Sequence, residues 1–125
     1  MDHTPGFLRL AEAARARVRE IDAAALDDRI QRSERFHLID VREDHEWHAG
    51  HIPGAEHLGR GILERDIETR IPATDADIVL YCGGGYRSAL AADNLRQMGY
   101  TNVASLAGGW RGWTDAGLQV EDPLG

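Results

Sequence analysis

Residues 77–98, DIVLYCGGGYRSALAADNLRQM, decide the fold prediction, because they read as a strand, a loop and a helix in direct succession. The run 77–81 is short, apolar and rich in β-formers, as in a buried strand. The run 87–98 has helical apolar spacing and is followed by Gly99 as a C-cap. Between them lie three glycines and the chain's single cysteine, Cys82. A buried strand that leads directly into a helix is typical of a parallel α/β sheet.

Similar segments flank this unit on both sides. Helices are predicted at 7–17, 23–31 and 62–70, and shorter ones at 43–48 and from 108; Asp22 is the expected N-cap of the helix at 23–31. Strands are predicted at 18–21, 36–40, 55–58 and 103–106. Alternating strands and helices indicate a parallel sheet covered on both faces, whose carboxyl edge binds ligands. We therefore divide the chain into a helical arm (1–17), one α/β domain (18–118) and a loose tail (119–125). The arm either caps the domain or pairs two subunits as a homodimer.

The composition narrows the class of function. The chain has 125 residues and a formal net charge of -7, and its 14 basic side chains are all arginine. An acidic domain offers no broad surface for nucleic acid or for an anionic membrane. The lack of lysine excludes a P-loop and Schiff-base chemistry. No apolar run approaches the ~20 residues of a membrane span, and no signal peptide is visible. The expected location is therefore the cytoplasm.

The setting of Cys82 argues for chemistry, although most lone cysteines are packing residues. A single cysteine excludes an internal disulfide and a Cys-x-x-Cys redox pair. The glycines allow successive N–H groups to turn inward as an anion nest, and the N-terminus of the next helix points at the same place. A helix N-terminus and a nearby arginine, here Arg87, favour the thiolate form of a cysteine.

The spacing within the loop separates three kinds of site. Gly83–Ser88 ends in serine where a dinucleotide-binding loop has its third glycine. A cysteine-dependent phosphatase needs five residues between the cysteine and the arginine, whereas four lie between Cys82 and Arg87. The smaller bowl suits one extra sulfur atom on Sγ, a persulfide, better than a whole phosphate.

Three stretches make the chain resemble a single-domain rhodanese, a sulfurtransferase. They are Asp40–Glu43 (DVRE), Trp47–Ala55 (WHAGHIPGA), and Cys82–Arg87 with its helix, followed by GGWRGW at 108–113. The resemblance implies a five-stranded parallel sheet flanked by helices, and a ping-pong reaction with no cofactor. In that reaction the Cys82 thiolate takes a sulfane sulfur from a donor such as thiosulfate and passes it to cyanide, glutathione or a protein thiol. Two alternatives stay open: a non-catalytic persulfide carrier or redox-sensing module, and a phosphatase or arsenate reductase.

The candidate site has a nucleophile and a set of substrate contacts. Cys82 is the nucleophile. The expected substrate contacts are Gly83, Gly84, Gly85, Tyr86, Arg87, Ser88 and Arg60. Arg87 either holds a substrate anion or pairs with a carboxylate beneath the loop, and Tyr86 projects from the loop and shapes access. Arg60 follows a different strand end and is expected to reach the mouth of the site.

Four further residues are expected to support the site. Asp40 braces the loop from below, Arg42 and Glu46 form an i, i+4 ion pair, and His51 hydrogen-bonds backbone in its turn. Three histidines spaced by three residues invite a metal: His45, His48 and His51. No further ligand pattern supports zinc, so no metal is expected.

Overall fold

The computed structural model describes residues 3–122, over which helices and strands alternate. The helices are α1 (Pro5–Arg17), α2 (Ala23–Gln31), α3 (Asp44–Ala49), α4 (Leu63–Arg70), α5 (Tyr86–Gln97) and α6 (Gly109–Asp115). The strands are β1 (Arg19–Ile21), β2 (His37–Asp40), β3 (Glu56–His57), β4 (Ile78–Tyr81) and β5 (Val103–Leu106). None of the helices within residues 3–122 is long and apolar enough to cross a bilayer.

The five strands form one parallel sheet in the order β1-β5-β4-β2-β3. On the central strand, Ile78 and Leu80 pack into the core on one face of the sheet, whereas Val79 and Tyr81 pack into the core on the other. This alternation within a wholly apolar run is expected of a strand that helices cover on both sides. The predicted α/β fold with a five-stranded parallel sheet is confirmed.

The carboxyl ends of three neighbouring strands meet at one edge of the sheet. β2 ends at Asp40, β4 at Tyr81 and β5 at Leu106. Because β4 lies between the other two, the loop that follows Tyr81 starts in the middle of this edge, and its first residue is Cys82. The fold therefore places the cysteine where parallel sheets bind their ligands.

The N-terminal arm packs on α5 of its own chain. Its inner face carries Ala11 and Ala14, both fully buried, and such small side chains allow two helices to approach closely. Arg17 anchors the end of α1 by hydrogen bonds of 3.2 and 2.8 Å from Nε and Nη2 to Oδ2 of Asp93 on α5. The arm therefore covers α5 of its own domain, whereas its pairing of two subunits stays a prediction.

The C-terminal segment is attached to the domain over the residues that the structure describes. Glu121 pairs with His51 in an antiparallel bridge with N···O distances of 2.9 and 2.8 Å. The carbonyl oxygen of Gln119 accepts a hydrogen bond of 2.9 Å from Nε1 of Trp113. The predicted loose tail is therefore wrong for 119–121, because backbone groups there find partners on the domain. Residues 123–125 of that prediction lie outside the described residues.

Candidate active site

The sulfur of Cys82 lies inside the loop between β4 and α5. Its Sγ accepts N–H donors from Gly85 at 3.1 Å and from Ser88 at 3.3 Å. Gly85 has the left-handed φ of +100°, and a Cβ there would come within 3.2 Å of the Gly108 nitrogen. Glycine is therefore needed at the point where the loop turns into the helix. The residue Cys82 is only 1% exposed, so these donors act in a largely water-free setting.

The N-terminus of α6 fixes the same loop from the other side. The N–H of Trp110 donates to the Cys82 carbonyl at 2.7 Å, and the N–H of Arg111 donates to the Gly83 carbonyl at 2.9 Å. Gly109 lies against these carbonyls with φ +55°, and a Cβ on it would fall 2.5 Å from the Cys82 oxygen. The GGW stretch is thus a clamp: its second glycine allows close approach and its next two amides bind the loop.

A pair of buried serines lies beneath the sulfur. Oγ of Ser88 is 3.5 Å from Sγ of Cys82 and 2.8 Å from Oγ of Ser105, and both serines are fully buried. Ser88 was predicted as a substrate contact, but its side chain is buried against Ser105, which was missed. The signal for Ser105 was its position: a hydroxyl within an otherwise apolar strand needs a partner when it is buried.

Arg87 pairs with a carboxylate, as in the second of the two roles considered for it, but that carboxylate, Glu46, lines the cavity with Cys82. Nη1 and Nη2 of Arg87 donate to the two carboxylate oxygens at 2.9 and 3.2 Å. The hydrogen bonds from Arg87 are the main reason that the pKa of Glu46 lies below its ordinary value. Hydrogen bonding to Glu46 in turn raises the pKa of Arg87, although burial opposes it, and the charge on Cys82 adds to the rise.

Arg42 binds Asp40 and not Glu46, so the predicted i, i+4 ion pair is wrong. Its Nη2 donates to Oδ2 of Asp40 and to the carbonyl of Gly50, both at 2.7 Å, and its Nε donates to Oδ1 of Asp40 at 3.0 Å. The two side chains are 3% and 0% exposed. Burial alone would lower the pKa of Arg42, but the hydrogen bonds with Asp40 raise it.

Asp40 therefore supports the loop indirectly, through the side chain of Arg42 and through Trp110. The guanidinium that it holds lies 4.6 Å above the ring of Trp110, a cation–π contact. The backbone N–H of Trp110 in turn donates to the Cys82 carbonyl. The chain of contacts runs from Asp40 through Arg42 and Trp110 to the loop, which is indirect bracing from below.

The turn at residues 51–54 (HIPG) is held by aromatic and backbone contacts. The ring of His51 stacks on Trp47 with centroids 3.5 Å apart, and its Nδ1 lies 3.3 Å from the Trp47 carbonyl oxygen. The N–H of Ile52 donates to the Tyr81 hydroxyl at 3.0 Å. Burial is the main cause that raises the pKa of Tyr81.

Within residues 3–122, no three side chains of the metal-binding types gather into a ligand cluster.

Arg60 was expected at the mouth of the site, and the structure places it elsewhere. Its Nη1 donates to both carboxylate oxygens of Glu64, at 2.8 and 2.6 Å. The residue is absent from the described lining of the cavity above Cys82. Glu64, four residues after Arg60, lies in the first turn of α4, and its carboxylate forms an ion pair with the Arg60 guanidinium.

A cavity of about 580 Å³ opens above the sulfur. Its lining consists of His3, Phe7, Glu46, Cys82, Gly83, Gly84, Tyr86, Arg87 and Arg111. Tyr86 forms part of the wall, in line with its expected influence on access. His3, Phe7 and Arg111 were missed. Nothing in the sequence places the arm beside the loop, whereas Arg111 could have been found from its position directly after the GGW clamp.

The fold and this site match one known family. A family model described as a rhodanese-like domain matches residues 22–116. The chain belongs to the rhodanese-like family. A sulfurtransferase of Allochromatium vinosum is 37% identical over 108 residues, which cover 86% of this chain and 99% of that protein. A putative sulfurtransferase of Bacillus subtilis is 36% identical over 96 residues, covering 77% of this chain and 90% of that one.

Solved structures of rhodanese-like proteins share the fold. A rhodanese-related protein from Thermoplasma volcanium superposes with a TM-score of 0.71 at 30% identity, covering 83% of this chain and 98% of that chain. A protein of unknown function from Rhodopseudomonas palustris, named as a possible tyrosine phosphatase, has a TM-score of 0.84 at 31% identity and covers 97% of this chain and 98% of its own. That second match extends over the arm as well as the rhodanese-like domain.

Proposed function

We propose that this rhodanese-like protein is a sulfurtransferase that carries the transferred sulfur as a persulfide on Cys82. One observation carries the proposal: Sγ of Cys82 receives two backbone N–H donors at 3.1 and 3.3 Å on the floor of an accessible cavity. Fixed donors that need no rearrangement stabilise negative charge on sulfur most effectively where water is excluded. Both the attacking thiolate and the persulfide anion that it becomes carry such charge.

The first half-reaction moves one sulfur atom onto the protein. The Cys82 thiolate attacks the outer sulfur of thiosulfate, a new S–S bond forms, and the S–S bond of the donor breaks with release of sulfite. Cys82 then carries a persulfide with one negative charge, so atoms and charge balance without an oxidant. Attack by a thiolate requires no general base, because a thiolate has no proton to give up.

The second half-reaction returns the thiolate. An acceptor such as cyanide or a thiolate attacks the outer sulfur of the persulfide, and the bond to Cys82 breaks. The products are thiocyanate or an acceptor persulfide. The amides of Gly85 and Ser88 face the sulfur that leaves, so they stabilise the thiolate that reappears.

The loop geometry favours sulfur transfer over phosphate chemistry. Four residues separate Cys82 from Arg87, and the Arg87 guanidinium is already engaged by both oxygens of Glu46. A phosphate seated over Sγ would have to displace that carboxylate and would meet its negative charge. We therefore expect no hydrolysis of p-nitrophenyl phosphate, which is the assay that would support the phosphatase alternative.

Intact mass measurement tests the proposal directly. Incubation with thiosulfate or another sulfane donor should add ~32 Da, the mass of one sulfur, and cyanide or dithiothreitol should remove it. Cys82→Ser is the matched control and should gain nothing. A wild-type protein that gains no sulfur from any donor, or an adduct that persists in Cys82→Ser, contradicts the proposal.

The same preparation distinguishes an enzyme from a carrier. An enzyme turns over many equivalents of thiosulfate in the presence of cyanide, whereas a carrier loads once and discharges to a protein thiol.

We propose that the protein acts in the cytoplasm, where cysteines are kept reduced and a free thiol such as Cys82 stays available.

A further inference from the structure

Part of the cavity wall comes from outside the rhodanese-like domain. The family match begins at residue 22, yet His3 and Phe7 line the cavity above Cys82. Their rings meet the ring of Tyr86 with centroid distances of 4.9 and 6.0 Å, and they meet each other at 5.0 Å. The three rings form one continuous patch, which we call the aromatic wall (His3, Phe7, Tyr86).

The aromatic wall is held in place by α1 and α5. Tyr86 is the first residue of α5, and Phe7 lies in the first half of α1. The two helices are locked together by fully buried Ala11 and Ala14 and by the ion pair between Arg17 and Asp93. A wall supported in this way is part of the site before any ligand arrives, and preformed apolar surface favours binding of a ligand with an organic portion.

The cavity also has a cation that no carboxylate neutralises within the described chain. Arg111 lines the cavity and is exposed, and none of the carboxylates of residues 3–122 lies within ion-pair distance of it. Arg87, the other arginine of the lining, is paired with Glu46. Arg111 is therefore the guanidinium best placed to bind an acidic group of a ligand, by a charge-assisted hydrogen bond.

The size of the cavity does not fit an inorganic donor alone. Pockets of roughly 300–1,000 Å³ typically hold drug-sized organic molecules, and this cavity measures about 580 Å³. Thiosulfate or cyanide, with only a few non-hydrogen atoms, would leave most of it to water and would not reach the aromatic wall and Arg111 together.

We infer that the aromatic wall and Arg111 make this cavity a specificity site for a small organic thiol, or its persulfide, that bears a carboxylate. The inference rests on the proposed function and names the residues that determine which thiols it prefers. The thiolate sulfur faces Cys82, the carbon skeleton lies on the aromatic wall, and the carboxylate binds Arg111. On discharge, the ligand thiolate bonds to the outer sulfur of the Cys82 persulfide while the Cys82 S–S bond breaks, giving the ligand persulfide and the Cys82 thiolate. Loading from such a persulfide is the same step reversed, so one binding site serves both directions.

Discharge of preloaded protein tests the inference. The Cys82 persulfide is mixed with glutathione, with glutathione diethyl ester or with 2-mercaptoethanol, and loss of the sulfur is followed by intact mass. Wild type should react faster with glutathione than with 2-mercaptoethanol. Arg111→Gln should slow glutathione about tenfold and the diester much less, since a hydrogen bond to a charged group is lost only with glutathione. Phe7→Ala should slow glutathione and the diester relative to 2-mercaptoethanol.

Two control variants accompany these measurements. Leu10→Ala changes an exposed apolar residue on α1, and Arg65→Gln removes an exposed arginine of α4; both should match wild type with all three thiols. If Arg111→Gln and Phe7→Ala alter the three rates by the same factor, or if wild type shows no preference for glutathione, the inference is wrong while the persulfide chemistry stands.

A binding measurement makes the test independent of sulfur loading. S-methylglutathione cannot react, so its binding to Cys82→Ser is measured by calorimetry, with and without Phe7→Ala or Arg111→Gln. Weaker binding in both double variants supports the specificity site. Absence of binding to Cys82→Ser overturns it, whether or not Cys82 of the wild type carries sulfur.

Discussion

Arg87 and Glu46 are joined by two hydrogen bonds, one to each carboxylate oxygen, and both residues line the cavity above Cys82. Arg87 lies in the first turn of α5, where a positive charge opposes the helix dipole. Glu46 offsets this unfavourable placement. Nη2 of Arg87 also lies 2.9 Å from the point that a Cβ on Gly83 would occupy, so the pair packs closely against Gly83 of the loop.

The Arg87–Glu46 pair predicts a pH-dependent stability. Because the pKa of Glu46 is lowered in the folded state, its stabilisation is fully present above the ordinary value of 4.5 and is lost as the pH falls through the lowered pKa. Glu46→Gln should reduce the free energy of unfolding by about 1 kcal/mol near pH 7. The gap in unfolding free energy between variant and wild type should close as the pH is lowered from 4.5 through the lowered pKa of Glu46, measured by urea unfolding.

Glu68→Gln is the control for that measurement. Glu68 is exposed on α4, and its side chain has no hydrogen-bond or ion-pair partner among residues 3–122, so its replacement should leave unfolding unchanged at either pH. A deficit of Glu46→Gln that stays constant with pH would contradict the assignment of this carboxylate as the partner of Arg87.

Gly109→Ala should damage both stability and chemistry. The new Cβ would fall 2.5 Å from the Cys82 carbonyl oxygen and 2.9 Å from the Gly83 carbonyl carbon, so the loop must move. We expect a loss of roughly 3 kcal/mol or more in unfolding free energy, the range for severe local strain. Persulfide formation, followed by intact mass, should slow with it.

Gly117→Ala is the control that separates backbone strain from a steric clash of the new Cβ. Gly117 also has a left-handed φ, +72°, but no atom lies within 4 Å of the point that its new Cβ would occupy. Its replacement should cost only ~1 kcal/mol, the backbone penalty alone, and leave the rate of persulfide formation unchanged. Equal effects of the two substitutions would show that α6 does not clamp the loop.

The two buried serines should behave as one unit. Ser88→Ala leaves the Ser105 hydroxyl without its partner and Ser105→Ala does the reverse, so each should cost about 1–3 kcal/mol. The double variant should cost less than the sum, because it removes both hydroxyls together. Chemical unfolding of the four proteins measures this coupling; strict additivity would contradict it.

Asp40→Asn should be among the most destabilising single substitutions. It leaves the buried guanidinium of Arg42 beside an uncharged amide, and breaking one side of a buried ion pair costs about 3–5 kcal/mol. Arg42→Lys should also destabilise, because an ammonium cannot reproduce the planar contacts to Asp40 and Gly50. Arg65→Lys, on an arginine that is 72% exposed, should leave the midpoint of thermal unfolding unchanged.

Local sequence signals predicted the elements of the fold well. α2 begins and ends where the apolar spacing and the Asp22 cap place it, since Asp22 Oδ1 accepts the Ala25 N–H at 2.8 Å. The position of Cys82 followed from a strand, three glycines and a helix in sequence. These features depend on residues within a few positions of one another, so periodicity and capping suffice to find them.

Partners that lie far apart in the chain could not be predicted in this way. The rule for i, i+4 pairs holds only inside a continuous helix, but α3 begins at Asp44, so Arg42 precedes it and turns to Asp40 and Gly50 instead. The contact of Phe7 with Tyr86 depends on how α1 packs on α5, which small alanines permit but do not specify. Tertiary packing, not local propensity, sets these contacts.

The place of His3 in the cavity wall has a practical consequence for every kinetic comparison. His3 lines the cavity above Cys82 and its ring meets that of Tyr86, so a purification tag placed close to residue 3 would begin beside the aromatic wall. Such a tag, or its cleavage scar, would share the entrance with substrate. Rate constants for this protein are comparable only between preparations that carry the same N-terminal sequence.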